Sequence, residues 1–360
     1  MTRTPPVELF VLHYNGGEIF ERTLRSLQAQ TYPHCRIIIS DNGSKPEFEA
    51  SLKQMESSGL EVRRRRPGSG DCYGHYNLCI PEVTAPYVMF CHGDDLYSPD
   101  MVAQQVALLE SHPELEAVLT GGNAIGGEDQ ALWPIGFPRH LATPVLDPAE
   151  TYREIIRHGN SFLIAPSALF RSRVFKKIGP LRSELIMCGD LEYWLRILHQ
   201  GGGLGYLPER LIGYRMSLGQ GSAVFERTRT EVSEFPKFLE EYLKLHPVDP
   251  ESRRAFDALY RLDQFQADLN VVAMGGSTER LQGSLRWFAE PLNRPFRQGF
   301  GIGDRLRLAG SAWAPRLESL GMAQATARQV IQWTDPRTSF PLRWALRLKR
   351  SLLKSGKLES

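Results

Sequence analysis

Short apolar runs alternate with amphipathic stretches along the first hundred residues. Val7 to Leu12 is a β-rich apolar run, and the stretch after it places Phe20, Leu24 and Leu27 at helical spacing. This pattern predicts a strand, a turn and a helix, which is the unit from which parallel sheets are built.

The strand-and-helix pattern then recurs. Buried strands are predicted from Arg36 to Ser40 and from Tyr87 to Cys91, with a shorter strand from Glu61 to Arg64. After the last of these strands, Ser98 and Pro99 favour the start of another helix. Four strands alternating with helices predict an α/β fold with a mostly parallel, three-layer sheet.

The middle of the chain predicts the rest of this sheet. Ala117 to Leu119, Asn160 to Phe170, Leu204 to Leu207 and Ile212 to Arg215 have the apolar content of strands. Between them, Gly121 to Asp147 is rich in glycine and proline. We expect this long loop to be functional or mobile, as long loops within compact domains tend to be.

Beyond Ser222 the pattern changes to helical spacing with little β character. The helical segments are Phe225 to Leu245, Pro250 to Ala273, Thr278 to Ala289 and Ile302 to Leu320. The sequence therefore predicts an α/β domain over residues 1–222, a helical region over 223–336 and a tail helix over 337–360.

Charge distinguishes the tail from the rest of the chain. Between Arg337 and Lys357 there are seven basic residues and no acidic one, and removing these seven from the formal net charge of +2 leaves −5. Leu346, Leu353 and Trp344 supply an apolar side. The tail helix either lies on an anionic membrane surface or packs against the protein.

Composition is that of an ordinary globular protein. The chain is 42% hydrophobic and 23% charged, which excludes wholesale disorder, and its small net charge gives no reason to expect nucleic acid binding. Five scattered cysteines without a C-x-x-C pair favour reduced thiols. With no visible signal peptide and no apolar run of about 20 residues, we expect a cytoplasmic protein, peripheral to the inner face of the cell membrane if the tail binds lipid.

Polar residues follow three successive predicted strands. Asn15, Asp41 and Asp94 each stand where a buried strand ends, and such ends line up along the edge where open α/β sheets bind ligands. Asp94 and Asp95 form either a solvated turn or a site for a hard divalent ion that holds a diphosphate. No G-x-G-x-x-G or G-x-x-x-x-G-K-[ST] motif follows the first strand, so a nicotinamide-binding fold is disfavoured.

Further candidates come from two helices and a basic run. Asn77 either hydrogen-bonds to the Asp94 loop or to a bound ligand, or it lies on a helix surface. Asp190, at the start of a helix, is either an N-cap or a functional carboxylate favoured by the helix dipole. The run Arg63 to Arg66 is interpreted as a solvated strand end and is left out of the predicted site.

Five motifs, in their order and spacing over roughly residues 6 to 222, resemble the inverting glycosyltransferases of family 2, which have the GT-A fold. The motifs are His13-Tyr14-Asn15, Ser40 to Ser44, Asn77 with Ile80, Gly93-Asp94-Asp95 and Gly189 to Leu195. The chain departs from the family pattern at His92, where many members have the first acid of D-x-D, at Gly189, often acidic, and at Ser217, near which many have a histidine.

The resemblance implies an activity, roles for the candidate residues, a cofactor and partners. Asp94 would bind Mg²⁺ or Mn²⁺ and Asp190 would be the catalytic base. The cofactor-binding residues would be Tyr14, Asn15, Asp41, Asn77 and Asp95, with Asp41 on the nucleoside base. A UDP-, dTDP- or GDP-linked sugar would be the donor, and a glycan or lipid-linked acceptor in polysaccharide biosynthesis would receive the sugar.

Two questions stay open at this point. Glu192 is the alternative base, but it lies about 200° around the helix from Asp190, so both cannot face one site, and Gly189 is expected to leave room for the acceptor. The rival functions are a sugar-nucleotide nucleotidyltransferase, whose glycine- and lysine-rich loop is not seen, and a non-catalytic glycan-binding protein, which His92 and Ser217 favour.

Overall fold

The structure is a computed structural model, and it describes residues 4–137, 142–158, 162–185, 188–216, 234–273, 277–289 and 328. The chain divides into two compact units, Met1–Ala223 and Val224–Ser360. The predicted helix from Ile302 to Leu320 and the predicted tail helix lie outside the described residues, and the predicted division at residue 336 stays a prediction.

The first unit alternates strands with helices. Its strands are β1 (Val7–His13), β2 (Cys35–Asp41), β3 (Glu61–Arg64), β4 (Tyr87–His92), β5 (Leu96–Tyr97), β6 (Leu115–Ile125), β7 (Ala131–Ile135), β8 (Leu169–Arg171) and β9 (Gly203–Arg215). Its helices are α1 (Glu18–Gln28), α2 (Glu49–Ser57), α3 (Cys72–Cys79), α4 (Met101–Ser111), α5 (Pro148–His158), α6 (Arg173–Ile178) and α7 (Gly189–His199).

The nine strands found in the described ranges join one sheet in the order β3-β2-β1-β4-β8-β6-β9-β5, with β7 paired to β6. The first four strands run parallel, as the sequence predicts. Beyond β4 the sheet is mixed, because β8 lies antiparallel between β4 and β6 while β6 and β9 are parallel. The predicted α/β class is confirmed.

The register of the sheet brings strand ends together. His13 at the end of β1 stands opposite Asp41 at the end of β2, and Leu12 stands opposite His92 at the end of β4. Because parallel strands end at one edge, the turns that follow β1, β2 and β4 share the edge expected to bind a ligand.

The sheet is buried on both faces, and the alternation along β1 separates the two cores. Leu9 and Val11 belong to a hydrophobic cluster that includes Phe20 of α1 and Val102 of α4. Phe10 points the other way into an aromatic cluster. This second cluster contains Phe90, Tyr76 of α3, Phe175 of α6 and Tyr193 and Trp194 of α7. Each fully buried side chain of this size contributes roughly 1.5–3 kcal/mol to folding.

Several element boundaries differ from the predictions. Within the described part of the predicted strand from Asn160 to Phe170, the strand itself begins only at Leu169, and Ala165–Ser167 is a 3₁₀ turn that contains Pro166. A proline has no N–H for a sheet ladder, which explains the turn. α4 begins at Met101 rather than beside Ser98. The predicted loop from Gly121 to Asp147 contains the end of β6 and the exposed strand β7.

The second unit is helical in its described part, as the sequence predicts beyond Ser222. It contains α8 (Glu234–Leu245), α9 (Pro250–Ala273) and α10 (Glu279–Ala289). Phe256, Phe265 and Leu281 are buried, and Ser284 donates to Asp268 at 2.6 Å between α10 and α9. Among the described helices of the chain, none is both long enough and apolar enough to cross a membrane.

Candidate active site

The ends of β1 and β2 hold a buried carboxylate. His13 and Asp41 are fully buried, and His13 Nδ1 lies 2.9 Å from Asp41 Oδ1. The Gly16 N–H donates to His13 Nε2 at 3.2 Å, so the proton of the ring is on Nδ1 and points to Asp41. Burial alone would raise the pKa of Asp41, but hydrogen bonds from His13, Ser44 and Arg66 hold this pKa well below its usual range. Asp41 is therefore a charged acceptor at neutral pH.

Asn15 joins the turn after β1 to the turn after β2. It has a left-handed backbone conformation with φ of 51°, its N–H donates to Ser44 Oγ at 2.8 Å, and its Oδ1 accepts from the Lys45 N–H at 2.9 Å. The neighbouring Tyr14 is 63% exposed. The Tyr14 side chain is thus exposed to solvent next to the turn that Asn15 holds.

The turn after β4 contains three candidate metal ligands. His92, Asp94 and Asp95 each offer one ligand atom, and these atoms lie within 4.8 Å of one another. Asp95 is fully buried, and its Oδ2 has no hydrogen-bond partner within the described ranges. Burial, followed by the charge of Asp94, raises the pKa of Asp95 well above its ordinary value. A buried oxygen without a partner is costly, so the donors present fit a divalent ion.

Arg215 braces this turn from the end of β9. Its side chain is fully buried, Nε donates to the Asp94 carbonyl at 2.6 Å, and its backbone N–H donates to Asp95 Oδ1 at 2.8 Å. Its remaining N–H groups donate to the Gly126 carbonyl and to the Asp129 carboxylate. This role of Arg215 was not predicted from the sequence, because an arginine at a strand end is usually a surface residue.

Asp190 lies in the first turn of α7, whose N-cap is Cys188. Asp190 Oδ1 accepts from the Leu191 N–H at 2.8 Å and from the Tyr73 hydroxyl at 3.0 Å. The expectation that Gly189 leaves room for an acceptor is wrong. A Cβ at Gly189 would come within 2.6 Å of the Tyr73 ring, so the ring occupies that space.

Glu192, the alternative base, is committed to a structural ion pair. It is buried, and Arg196 one turn later donates to it at 2.9 Å. Arg196 also donates to the carbonyls of Ile178 and Pro180. Burial raises the pKa of Glu192, and the opposing charge of Arg196 offsets part of this effect. Glu192 therefore fastens α7 to the loop that precedes it.

α3 connects Asp190 with the turn after β4. Tyr73 reaches Asp190, and three residues later the Tyr76 hydroxyl lies 2.9 Å from His92 Nε2. Burial, together with nearby charges that include Asp190, raises the pKa of Tyr76 well above its ordinary value, so its hydroxyl stays protonated. Both tyrosines were missed in the sequence, where an aromatic residue on a short helix is most simply interpreted as core.

Asn77 of α3 serves a different partner from the one predicted. Its Nδ2 donates to the Leu181 carbonyl at 2.7 Å, and its Oδ1 accepts from the Leu181 N–H at 2.9 Å. This pair of bonds holds α3 against the loop before α7. Because both polar atoms of the amide bond to the backbone of Leu181, we do not propose that Asn77 contacts the donor.

The basic run Arg63 to Arg66 is divided in its contacts. Arg63 and Arg65 pair with Glu82, and Arg64 pairs with Glu56, so these three arginines stabilise the edge of the sheet. Arg66 is 45% exposed and donates to Asp41 Oδ2 at 2.7 Å, so it belongs to the candidate site. The strand register points to Arg66, because Arg64 of β3 pairs with Asp41 and Arg66 follows two residues later.

The family model described as "Glycosyl transferase family 2" matches residues 9–179. The chain carries a glycosyltransferase family 2 domain. An uncharacterized glycosyltransferase of Rickettsia felis (strain ATCC VR-1525 / URRWXCal2) is 26% identical over 203 residues. That alignment covers 54% of this chain and 31% of the rickettsial protein, so the chain spans about a third of that relative.

Two solved structures are similar in fold to most of this chain. S. aureus TarS 1-349 in complex with UDP-GlcNAc aligns with a TM-score of 0.55 at 15% identity, covering 90% of this chain and 92% of the other. The mannosyltransferase PcManGT from Pyrobaculum calidifontis, in complex with GDP-Man and Mn²⁺, aligns with a TM-score of 0.51 at 15% identity, covering 92% and 88%. These similarities confirm the predicted GT-A fold, and the family model confirms the resemblance to family 2.

Proposed function

We propose that this chain is a metal-dependent inverting glycosyltransferase. It transfers a sugar from a nucleoside-diphosphate donor to a hydroxyl group of a glycan or lipid-linked acceptor in polysaccharide biosynthesis. The donors named for the TarS and PcManGT structures, UDP-GlcNAc and GDP-Man, support the donor class. The donor is linked to UDP, dTDP or GDP.

One observation carries the proposal, namely the contacts of two tyrosines of α3. Tyr73 donates to Asp190 and Tyr76 contacts His92, so one short helix connects a carboxylate on α7 to the acidic turn after β4. Asp190 and Asp94 are far apart in sequence. Carboxylates gathered at one edge of an α/β sheet are the parts that an acceptor base and a diphosphate site need.

In the proposed reaction Asp190 acts on the acceptor. Its carboxylate removes the proton of the acceptor hydroxyl while that oxygen attacks the anomeric carbon. The bond from this carbon to the diphosphate oxygen breaks, and the electron pair leaves with the nucleoside diphosphate. Because the acceptor enters opposite the leaving group, one displacement inverts the anomeric centre.

The remaining residues bind the donor. Asp41, held in its ionised form, accepts a hydrogen bond from the nucleoside base, and Tyr14 and Asn15 border the base and ribose. Asp94, with His92 and Asp95, would hold Mg²⁺ or Mn²⁺, and the bound ion would offset the charge that develops on the leaving diphosphate. Arg215 keeps the Asp94 turn in place.

Two substitutions test these roles in one assay of donor turnover and donor binding. Asp190→Asn should lose roughly 10² to 10⁴ in turnover of a UDP-, dTDP- or GDP-sugar while its donor affinity stays near wild type. Asp94→Ala should instead lose the strengthening of donor binding by Mg²⁺ or Mn²⁺, measured by calorimetry with and without EDTA.

Glu192→Gln is the matched control, since it alters a buried acid on the same helix. It should destabilise the protein and leave turnover per folded molecule nearly unchanged. An active Asp190→Asn enzyme would refute the assignment of the base, and an Asp94→Ala protein that still responds to the ion would refute the metal site.

We also propose that the basic tail attaches the enzyme to the inner face of the cell membrane. The seven cations between Arg337 and Lys357, with no acid among them, support this proposal. The tail lies outside the described residues, so the proposal rests on the sequence alone. Such attachment would keep the enzyme beside a lipid-linked acceptor.

A further inference from the structure

We infer that Tyr73 is a positioning residue for the catalytic base, holding the Asp190 carboxylate in its reactive orientation and in its ionised form. This inference rests on the proposed role of Asp190. Tyr73 does not touch the reacting atoms. It acts through its hydroxyl group, which donates to Asp190 Oδ1 at 3.0 Å.

The contact between Tyr73 and α7 is close and specific. The ring lies against the backbone of Gly189, where a Cβ would meet three ring carbons at 2.6 to 2.8 Å. Real Cβ contacts are not this short, so only glycine permits the approach. The departure of Gly189 from the acidic residue common in the family therefore has a structural meaning, because it admits the ring of Tyr73.

Two donors from different helices converge on one oxygen of Asp190. The Leu191 N–H of α7 reaches Oδ1 at 2.8 Å, and the Tyr73 hydroxyl of α3 reaches the same atom. Hydrogen bonds to the charged form favour that form and lower the pKa of a carboxyl group. Burial, followed by the charge of Asp190, raises the pKa of Tyr73 well above its ordinary value, so its hydroxyl remains a donor at every working pH.

α3 is itself anchored at both ends, and this fixes the position of Tyr73. Asp71 caps the helix by accepting from the Gly74 N–H at 2.6 Å. Two residues before Asp71, the Ser69 N–H donates at 2.8 Å to Asn42 Oδ1, in the turn that follows β2. Asn77 bonds α3 to the loop before α7. These contacts together fix the position of α3 between the turn after β2 and Asp190.

The test is Tyr73→Phe, which removes the hydroxyl and keeps the ring against Gly189. Turnover of the accepted nucleotide sugar should fall on the order of tenfold, because the base loses its orientation. The acid limb of the pH–rate profile should move to higher pH by about one unit, since the ionised carboxylate loses a donor. Donor affinity should not change.

Tyr87→Phe is the matched control. Tyr87, at the start of β4, also donates to a carboxylate, that of Glu110, but at the opposite end of the strand from the site. Its removal should lower the melting temperature and leave the pH–rate profile unchanged. This control separates a merely structural tyrosine–carboxylate bond from one that acts on the base.

Three outcomes decide the inference. If Asp190→Asn is inactive but Tyr73→Phe shows only the behaviour of Tyr87→Phe, this inference is overturned and the proposed function stands. An active Asp190→Asn enzyme overturns both. Should Tyr73→Phe fail to fold, Gly189→Ala provides the same test, because the methyl group displaces the ring while the hydroxyl is retained, and an unshifted acid limb in that variant overturns the inference.

Discussion

Asp41 remains charged although water does not reach it, and its neighbours explain why. His13 donates to one carboxylate oxygen and Arg66 to the other, and Ser44 adds a backbone N–H to the first. A buried carboxylate with three donors is stabilised in its ionised form despite the cost of burial. An ionised carboxylate is the kind of acceptor that recognition of a nucleoside base requires.

The lowered pKa of Asp41 makes the stability of the protein depend on pH. Because the folded pKa lies below the unfolded value of about 3.9, the stabilisation is fully present above that value and is lost as the pH falls further. Asp41→Asn should therefore cost roughly 1–3 kcal/mol of unfolding free energy at pH 7, and less at pH 3. Urea unfolding at the two pH values measures both differences.

Glu47→Gln is the control for this experiment, since Glu47 is an exposed carboxyl in the neighbouring turn. It should change stability by about 0.5 kcal/mol or less at either pH. An Asp41→Asn protein whose deficit is equal at pH 7 and pH 3 would contradict the explanation.

Residues with a local signal were predictable, and residues defined by distant contacts were not. Asp41 and Asp94 each follow a buried strand, and Asp190 opens an amphipathic helix, so all three stand out in the sequence. The role of Tyr73 depends on a hydrogen bond to a residue 117 positions away, and the role of Arg215 depends on one to a residue 120 positions away. No pattern within a short window contains that information.

At the scale of elements, α3 is the part of the site that periodicity describes least well. It has eight residues, and its side chains reach in several directions, to Asp190, to His92 and to Leu181. An amphipathic pattern needs a single buried face. Longer strands that are buried on both faces, such as β1 and β4, were predicted because continuous apolar runs are typical of parallel sheets.

The turn that leads into α3 is held by a close approach of two backbones. A Cβ on Gly68 would lie 2.1 Å from the Asn42 carbonyl oxygen. Gly68→Ala must therefore push the two turns apart, and we expect a loss of about 1–3 kcal/mol in stability together with weaker donor binding. Thermal unfolding and calorimetric donor titration measure the two effects.

Gly283→Ala is a control of opposite sign. Gly283 is exposed in α10, and a Cβ there meets nothing within 4 Å. Alanine should stabilise this helix by roughly 0.5–1 kcal/mol and leave donor binding unchanged. If both variants behaved alike, the close approach at Gly68 would not be what holds the turn.

At the scale of the whole molecule, every residue assigned to the site lies in the first unit, Met1–Ala223. The second unit contributes helices with their own buried residues, among them Phe256 and Phe265. The helical pattern predicted these elements because apolar side chains recur at helical spacing. Their purpose was not predictable, since nothing in α8 to α10 carries a recognisable site motif.

The basic tail leads us to expect that the full chain binds to anionic membranes. Each cation near an anionic surface contributes about 1 kcal/mol, so seven suffice for reversible attachment. The intact protein should sediment with vesicles that contain phosphatidylserine at low salt, and a chain that stops before Arg337 should not. Neutral phosphatidylcholine vesicles are the control, and intact protein that ignores the anionic vesicles would assign the tail to intramolecular packing.

The bracing of the acidic turn by Arg215 has a consequence for the thermodynamics of binding. The guanidinium is bonded to the Asp94 carbonyl and to the Gly126 carbonyl of the neighbouring hairpin, so contacts within the protein hold the turn. If the turn became ordered only on binding, each side chain immobilised in the process would cost about 0.5–1.5 kcal/mol of binding free energy. A turn that contacts within the protein keep ordered avoids this entropy loss. Donor binding should therefore lack the large heat-capacity change that accompanies coupled folding.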